Sequence, residues 1–192
     1  MDKNACPIFF RQYFPFWDKL TPAQQDTLCS ATHSFSYTKG ENVHGTGGCT
    51  GVIVIETGCL RGYLLSEEGC EVTLFRAYPG EVIILSAPCA LKQEGISFDL
   101  MIDAEEDSSL LIVEGSSYAR VSSENIYAET FTLRQTAARL SDADWVMQQI
   151  LFMRFDRRLA AFLLEESARQ GTRLSLTHDQ IARYMGTARE VV

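Results

Sequence analysis

The residues best suited to chemistry lie at the end of the chain. Thr177-His178-Asp179-Gln180 sets a capping hydroxyl three residues ahead of a glutamine. At that spacing the hydroxyl accepts from a free amide of the first turn and the glutamine reaches back to the cap, which opens a helix. Ile181, Ala182 and Met185 continue the helix and Gly186 ends it. Thr187-Ala188-Arg189-Glu190 repeats the pattern and predicts a second helix containing Val191 and Val192. Two short helices about a glycine turn, with small Ala182 at their crossing and Ile181, Met185 and Val192 in a shared core, predict a helix-turn-helix. The second helix of that motif enters the major groove of duplex DNA. Arg189 can bond guanine bidentately and Glu190 can accept from cytosine N4, with Ala188 leading into them. Thr177, His178, Gln180 and Thr187 stand at helix starts, where hydroxyls and free amides meet phosphate. The alternative is a capped helix pair that serves only as structure.

Other chemistry is thinly represented. Six cysteines stand at 6, 29, 49, 59, 70 and 89, with no C-x-x-C pair, so a zinc or iron–sulfur site is not supported. Nothing marks a secreted chain, and most of the thiols are expected to be buried or idle rather than paired. His33 and His44 do not form a paired-histidine metal motif. No general acid–base or nucleophile constellation appears, so an enzyme is not expected.

The 192 residues carry 17 Lys/Arg and 25 Asp/Glu, a net charge of −8. The excess is uneven: residues 1–153 hold 10 basic and 20 acidic side chains, whereas residues 154–192 hold 7 and 5. An acidic body with a mildly basic tail fits a division of labour in which only the tail meets nucleic acid. A hydrophobic share of 46% suffices for a core. No apolar run approaches the roughly 18–20 residues of a membrane helix. The N-terminal apolar stretch is interrupted by Arg11 and lacks a cleavage signal, which points to the cytoplasm.

Elements must position the tail. Thr21-Pro22-Ala23-Gln24 opens a helix over about 21–31, with Phe14, Phe16 and Trp17 as core before it. Short strand patterns follow at Val52–Ile55, Leu60–Leu65, Val72–Phe75, Val82–Leu85, Phe98–Ile102 and Leu110–Val113, with a hairpin loop at Ser66–Gly69. About eight strands at this spacing predict a jelly roll. After Ser122-Ser123 neither proline nor glycine occurs until Gly171. Ile126, Leu133, Leu140 and Met147 recur every seven residues, and Thr130, Ala137, Asp144 and Leu151 form a weaker second stripe. The stripe is either a coiled-coil seam between two copies or the face of a helix lying on its own barrel. A break is expected near Arg154–Asp156, with Asp156 capping a helix through Leu159 and Phe162 to Gln170. Leu174 and Leu176 are expected to begin the strand of a winged motif.

Taken together, residues 10–192 resemble a Crp/Fnr-family transcription regulator. The likeness rests on the β-roll, the long helix, Arg158-Leu159-Ala160-Ala161-Phe162-Leu163-Leu164, and Ile181-Ala182-x-x-Met185-Gly186-x-x-Arg189-Glu190. It implies an α+β fold: a double-stranded β-helix effector domain at 1–121, a dimerisation helix at 122–154, and an incomplete winged helix-turn-helix at 155–192. Family members continue beyond the position matching Val192, so truncation is expected, and a chain stopping there should bind DNA poorly.

The resemblance also implies that Arg189 and Glu190 read a palindromic operator as a homodimer through Ile126, Leu133, Leu140 and Met147. RNA polymerase is a further implied partner. The effector residues by position are Gly80, Glu81, Leu85, Ser86, Cys89, Phe98 and Asp99. Cyclic-nucleotide binders of the family carry Gly-Glu and Arg-Ser pairs where Ile84-Leu85 and Phe98-Asp99 stand here. Without the arginine fork a cyclic phosphate has no bidentate partner, so an unidentified effector other than cyclic AMP is expected. Cys89 in that loop is either redox-active, a haem ligand, or a buried structural thiol. The alternative function is a cyclic-nucleotide-binding-like sensor or interaction module without DNA binding.

Overall fold

The computed structural model describes residues 6–45, 50–84 and 100–192. Two helices come first, α1 (Cys6–Tyr13) and α2 (Pro22–Ser30), joined by a 3₁₀ turn at Trp17–Lys19. The capping box at Thr21 forms as expected: Gln24 donates its amide to Thr21 Oγ1 at 3.3 Å, and Gln24 Oε1 accepts from the Thr21 amide at 3.0 Å. Eight strands follow: β1 (Thr32–Tyr37), β2 (Asn42–His44), β3 (Val52–Thr57), β4 (Leu60–Leu65), β5 (Glu71–Ala77), β6 (Val82–Ile84), β7 (Leu100–Ala104) and β8 (Ser108–Val113). They form two antiparallel sheets of order β1-β8-β3-β6 and β2-β7-β4-β5, the interleaving of a jelly roll.

Strand β3 is a continuous apolar run because both its faces are covered. Ile53 and Ile55 point into the roll with Leu60, Phe75, Ile83, Ile102 and Leu110. Val52 and Val54 point outward, under a layer built from Phe10, Phe14, Trp17, Leu28 and Tyr118. Strands of one barrel usually alternate apolar and polar residues; here the helical layer removes the need. The aromatics expected as core are buried: Phe14 is 0% exposed, Trp17 1% and Phe16 4%.

Gly62 on β4 stands opposite Phe75 on β5. A Cβ there would meet the Phe75 ring closer than van der Waals contact allows. Gly62→Ala is therefore expected to lower stability by about 1–3 kcal/mol through overpacking, seen as a melting temperature lower by several degrees with the fold retained.

The helical part departs from expectation at its ends. α3 (Gly115–Glu124) and α4 (Ile126–Phe152) are separate helices, so the long helix begins at Ile126 rather than 122. The cause is Asn125, an extended residue whose side chain accepts from the amides of Tyr127 and Ala128. α5 spans Phe155–Gln170. Its cap is Arg154, not Asp156, which falls in the first turn where a carboxylate favours the helix dipole. Residues 171–177 contain no strand, so the strand expected to begin at Leu174 and Leu176 does not form. Most of the thiols are expected to be buried or idle; Cys6 and Cys29 are instead bonded, in a disulfide between α1 and α2.

Candidate nucleic-acid interface

The terminal motif is built locally. α6 (His178–Met185) is capped by Thr177: Gln180 donates its amide to Thr177 Oγ1 at 3.2 Å, and Gln180 Oε1 accepts from the Thr177 amide at 2.8 Å. Gly186 then takes the left-handed conformation at φ +61°, which a side chain would resist. Its Cα also lies against Val72, leaving no room for a Cβ. The Thr187 amide bonds the Ala182 carbonyl at 3.1 Å, closing the turn.

The second capping box does not form. The next helical turn is a 3₁₀ turn at Arg189–Val191, so its cap is Ala188, which has no side-chain oxygen. Thr187 is one residue too early to cap it.

The two sides of α6 differ. Ile181, Ala182 and Met185 are buried, whereas Thr177, His178, Gln180, Ala188, Arg189 and Glu190 are exposed and Thr187 is half-buried. All seven candidate DNA contacts thus gather at one end of the chain. Among the described residues the Arg189 side chain pairs with Asp179, at 3.6 Å between two exposed side chains, a pair worth about 0–1 kcal/mol.

The inner side of the motif is fastened to the roll. Arg76 on β5 donates to Glu166 on α5 at 2.6 Å, lies 3.4 Å from Glu105, and stacks 4.1 Å from the Tyr184 ring. The Tyr184 hydroxyl donates to Glu105. Burial alone would lower the Arg76 pKa, but Glu105, Tyr184 and Glu166 outweigh it and hold the guanidinium charged. Arg158 donates to the Met185 carbonyl at 2.9 Å, fixing the end of α6 on α5. This fastening was not foreseen from sequence.

Removing Arg76 leaves Glu166, whose side chain is 2% exposed, without its cation. Arg76→Gln is therefore expected to release α5 and α6 from β5. A charge-assisted hydrogen bond is worth about 1.5–3 kcal/mol, so hydrogen exchange at Val72–Arg76 should quicken roughly ten- to a hundredfold. Unchanged exchange would show that packing alone holds the contact.

The long helix shows a third surface. Ala128 and Thr132 are fully buried against the roll layer. Ile126, Leu133, Leu140 and Met147 are 65%, 50%, 65% and 53% exposed. The heptad stripe therefore does not lie on its own barrel, contrary to one of the two readings above. Of the second stripe, Ala137, Asp144 and Leu151 are also exposed and Thr130 is half-buried.

Two of the seven effector candidates fall among the described residues. Gly80 and Glu81 form the turn before β6, and Glu81 lines a 640 Å³ cleft between β5, α4 and α5 together with Arg139, Trp145 and Met153. Burial raises the Glu81 pKa, Arg139 at 3.9 Å opposes it, and Asp142 adds to it. Leu85, Ser86, Cys89, Phe98 and Asp99 lie outside the described residues. Among the described residues no group of three His, Cys, Asp or Glu is placed to hold a metal ion. No described helix is long and apolar enough to cross a membrane.

Residues 157–192 match the model of the Crp-like helix-turn-helix domain. The chain is similar to a solved structure from Eubacterium rectale ATCC 33656, described as a transcriptional regulator of the Crp/Fnr family. The two share 36% identity over 93% of this chain and 83% of that one, with a TM-score of 0.86. FixK2 from Bradyrhizobium japonicum shares 26% identity over 83% of this chain and 79% of its own, with a TM-score of 0.66. The fold is also that of CLP, the c-di-GMP responsive global regulator of Xanthomonas campestris, at 18% identity, 89% and 87% coverage, and a TM-score of 0.66. No curated protein sequence matches the chain.

Proposed function

The chain belongs to the Crp/Fnr family of transcriptional regulators, and on that footing we propose that it works as a homodimer reading palindromic duplex DNA under control of a signal received by its roll. It is a regulator with a helix-turn-helix DNA-binding domain, not an enzyme. The observation that best supports the finer reading is the row Ile126, Leu133, Leu140 and Met147, half or more exposed on a helix whose other side is buried at Ala128 and Thr132. Water-facing apolar residues at that spacing gain by meeting their own copy.

In this reading residues 1–121 carry the effector domain, α4 (Ile126–Phe152) is the dimerisation helix and residues 155–192 form the DNA-binding domain. Arg189 and Glu190, led by Ala188, meet base edges, while Thr177, His178, Gln180 and Thr187 meet phosphates. Pairing along α4 sets the two readers about 34 Å apart, one turn of DNA. The signal enters near Gly80 and Glu81, the latter lining a cleft that reaches from the roll to α4 and α5, with Leu85, Ser86, Cys89, Phe98 and Asp99 beyond them in sequence. It is a small molecule or a redox change rather than cyclic AMP, because no arginine stands between Leu85 and Asp99 to fork a cyclic phosphate. The same fold serves a relative described as c-di-GMP responsive. RNA polymerase is the further partner, and the cytoplasm the address, that this role implies.

The signal acts by shifting the population between two dimer arrangements, limited by its differential affinity for them. Sedimentation of the full-length protein and fluorescence anisotropy on randomised palindromic duplexes test the reading. The expected result is a dimer whose specific binding weakens steeply with salt and is unmoved by cyclic AMP. A monomer, or binding indifferent to sequence, overturns it.

A further inference from the structure

We propose that Cys6 and Cys29 are a reversible thiol–disulfide switch that sets the seat of α1 on the aromatic stack beneath α4 and thereby tunes DNA binding. The DNA arm of this proposal rests on the reading above; the switch itself does not.

The observations concern connectivity. Cys6 is the first residue of α1 and 1% exposed, Cys29 lies near the end of α2 and is partly buried, and the two are bonded across a sequence separation of 23. The other described cysteines are unsuited to such a role. Cys70 is exposed and free. Cys59 is buried beside Glu105, and burial followed by the Glu105 charge pushes its pKa up to about 12, so it stays an unreactive thiol.

What α1 touches gives the bond its reach. Phe10 stacks on Phe14 at 5.1 Å and on Trp17 at 5.0 Å. Phe14 meets Phe131 of α4 edge-on at 5.9 Å, and Phe16 packs on the same ring at 5.3 Å. Beside that ring, Tyr118 and Thr132 share a hydrogen bond of 2.9 Å. Phe131 is two residues from Leu133, a member of the exposed stripe. A bond pinning the start of α1 therefore steadies the aromatic stack against which this turn of α4 rests.

The exchange chemistry balances at Cys29, the less buried residue of the two. In reduction, a small-molecule thiolate attacks Cys29 Sγ, the Cys6–Cys29 bond breaks, and Cys6 leaves as a thiolate that takes a proton. A second small thiol attacks the mixed disulfide, releasing Cys29 and departing as the oxidised small disulfide. Oxidation by a small-molecule disulfide runs the other way: Cys29 attacks first, Cys6 then attacks the Cys29 sulfur, and two small thiols leave carrying two electrons. Once reduced, α1 is held by packing alone and its first turn frays.

The test equilibrates the full-length protein in glutathione buffers of stepped ratio, then reads three quantities. Alkylation and peptide mass spectrometry follow Cys6 and Cys29, hydrogen exchange follows segments 8–14 and 128–133, and anisotropy follows a duplex selected from a randomised palindromic pool. The expected result is that Cys6 and Cys29 become alkylated together in one two-electron transition, with Cys59 unlabelled. Exchange in both segments should quicken roughly threefold on reduction, and DNA affinity should fall about fivefold. Cys29→Ser should show the reduced values in every buffer. Separate labelling of the two cysteines, or exchange at 128–133 that ignores their state, overturns the switch. Absence of DNA binding in every buffer overturns the operator reading instead, while labelling and exchange still decide on the switch.

Discussion

Arg189→Ala is expected to weaken specific DNA binding sharply while leaving the folded protein intact. The side chain is 66% exposed and its one ion pair, with Asp179 at 3.6 Å, is solvent-screened, so its removal costs the fold little. On DNA the same guanidinium, bound bidentately to guanine, is worth about 1–3 kcal/mol, and a dimer uses it twice. Operator affinity should therefore fall about thirty-fold to ten-thousand-fold, while the slope of affinity against salt changes little because the phosphate contacts remain. Discrimination should relax most at the base pair that Arg189 reads. Anisotropy titrations on the operator and on single-base variants measure both effects, with a melting curve as the control. Equal affinities for the wild-type and altered chains would remove Arg189 from the reading head and Glu190 with it.

How far such residues were legible in the sequence depends on how local their physics is. The boxes at Thr21 and Thr177 involve residues three apart, and both form. The box expected at Thr187 fails because the position of a cap depends on where the following helix starts, and Gly186 and the Thr187 amide spend one more residue on the turn. The roll is legible as strands and turns, because short apolar runs bounded by hairpin and turn residues mark them. Its pairing of Thr32 with Val113 is not a local property. Likewise Arg76 and Glu166 are ninety residues apart, and each reads in isolation as an ordinary charged residue. The Cys6–Cys29 bond was missed because residue spacing says nothing about two helices folding side by side. α1 is short and carries no capping box to mark it; its buried side is Cys6 and Phe10, with Phe14 just past its end, at the four-residue spacing of a helix face.

The largest effect expected away from the DNA concerns the row on α4. Leu140 is 65% exposed, so in one copy of the chain its side chain contributes almost nothing to folding. Pairing two helices along the row would move Ile126, Leu133, Leu140 and Met147 of each copy out of water. Each side chain has about half its surface left to bury, worth about 1 kcal/mol, so the row contributes roughly 8 kcal/mol before the cost of association. Leu140→Glu removes two of those contributions and sets two carboxylates facing each other, which raises the dimer dissociation constant at least about a hundredfold. DNA binding should be lost in parallel, whereas the melting of the monomer should not change. Asp144 supplies the opposite case. It stands in the second stripe, exposed, with its carboxylate accepting from Gln148 at 2.7 Å within its own helix. Asp144→Leu should tighten the dimer about tenfold, because a polar residue at such a position fixes register at the expense of affinity. Sedimentation velocity over a range of concentrations reads both variants. A dimer that survives Leu140→Glu unchanged would mean that the two copies meet elsewhere, and the row would then need another partner.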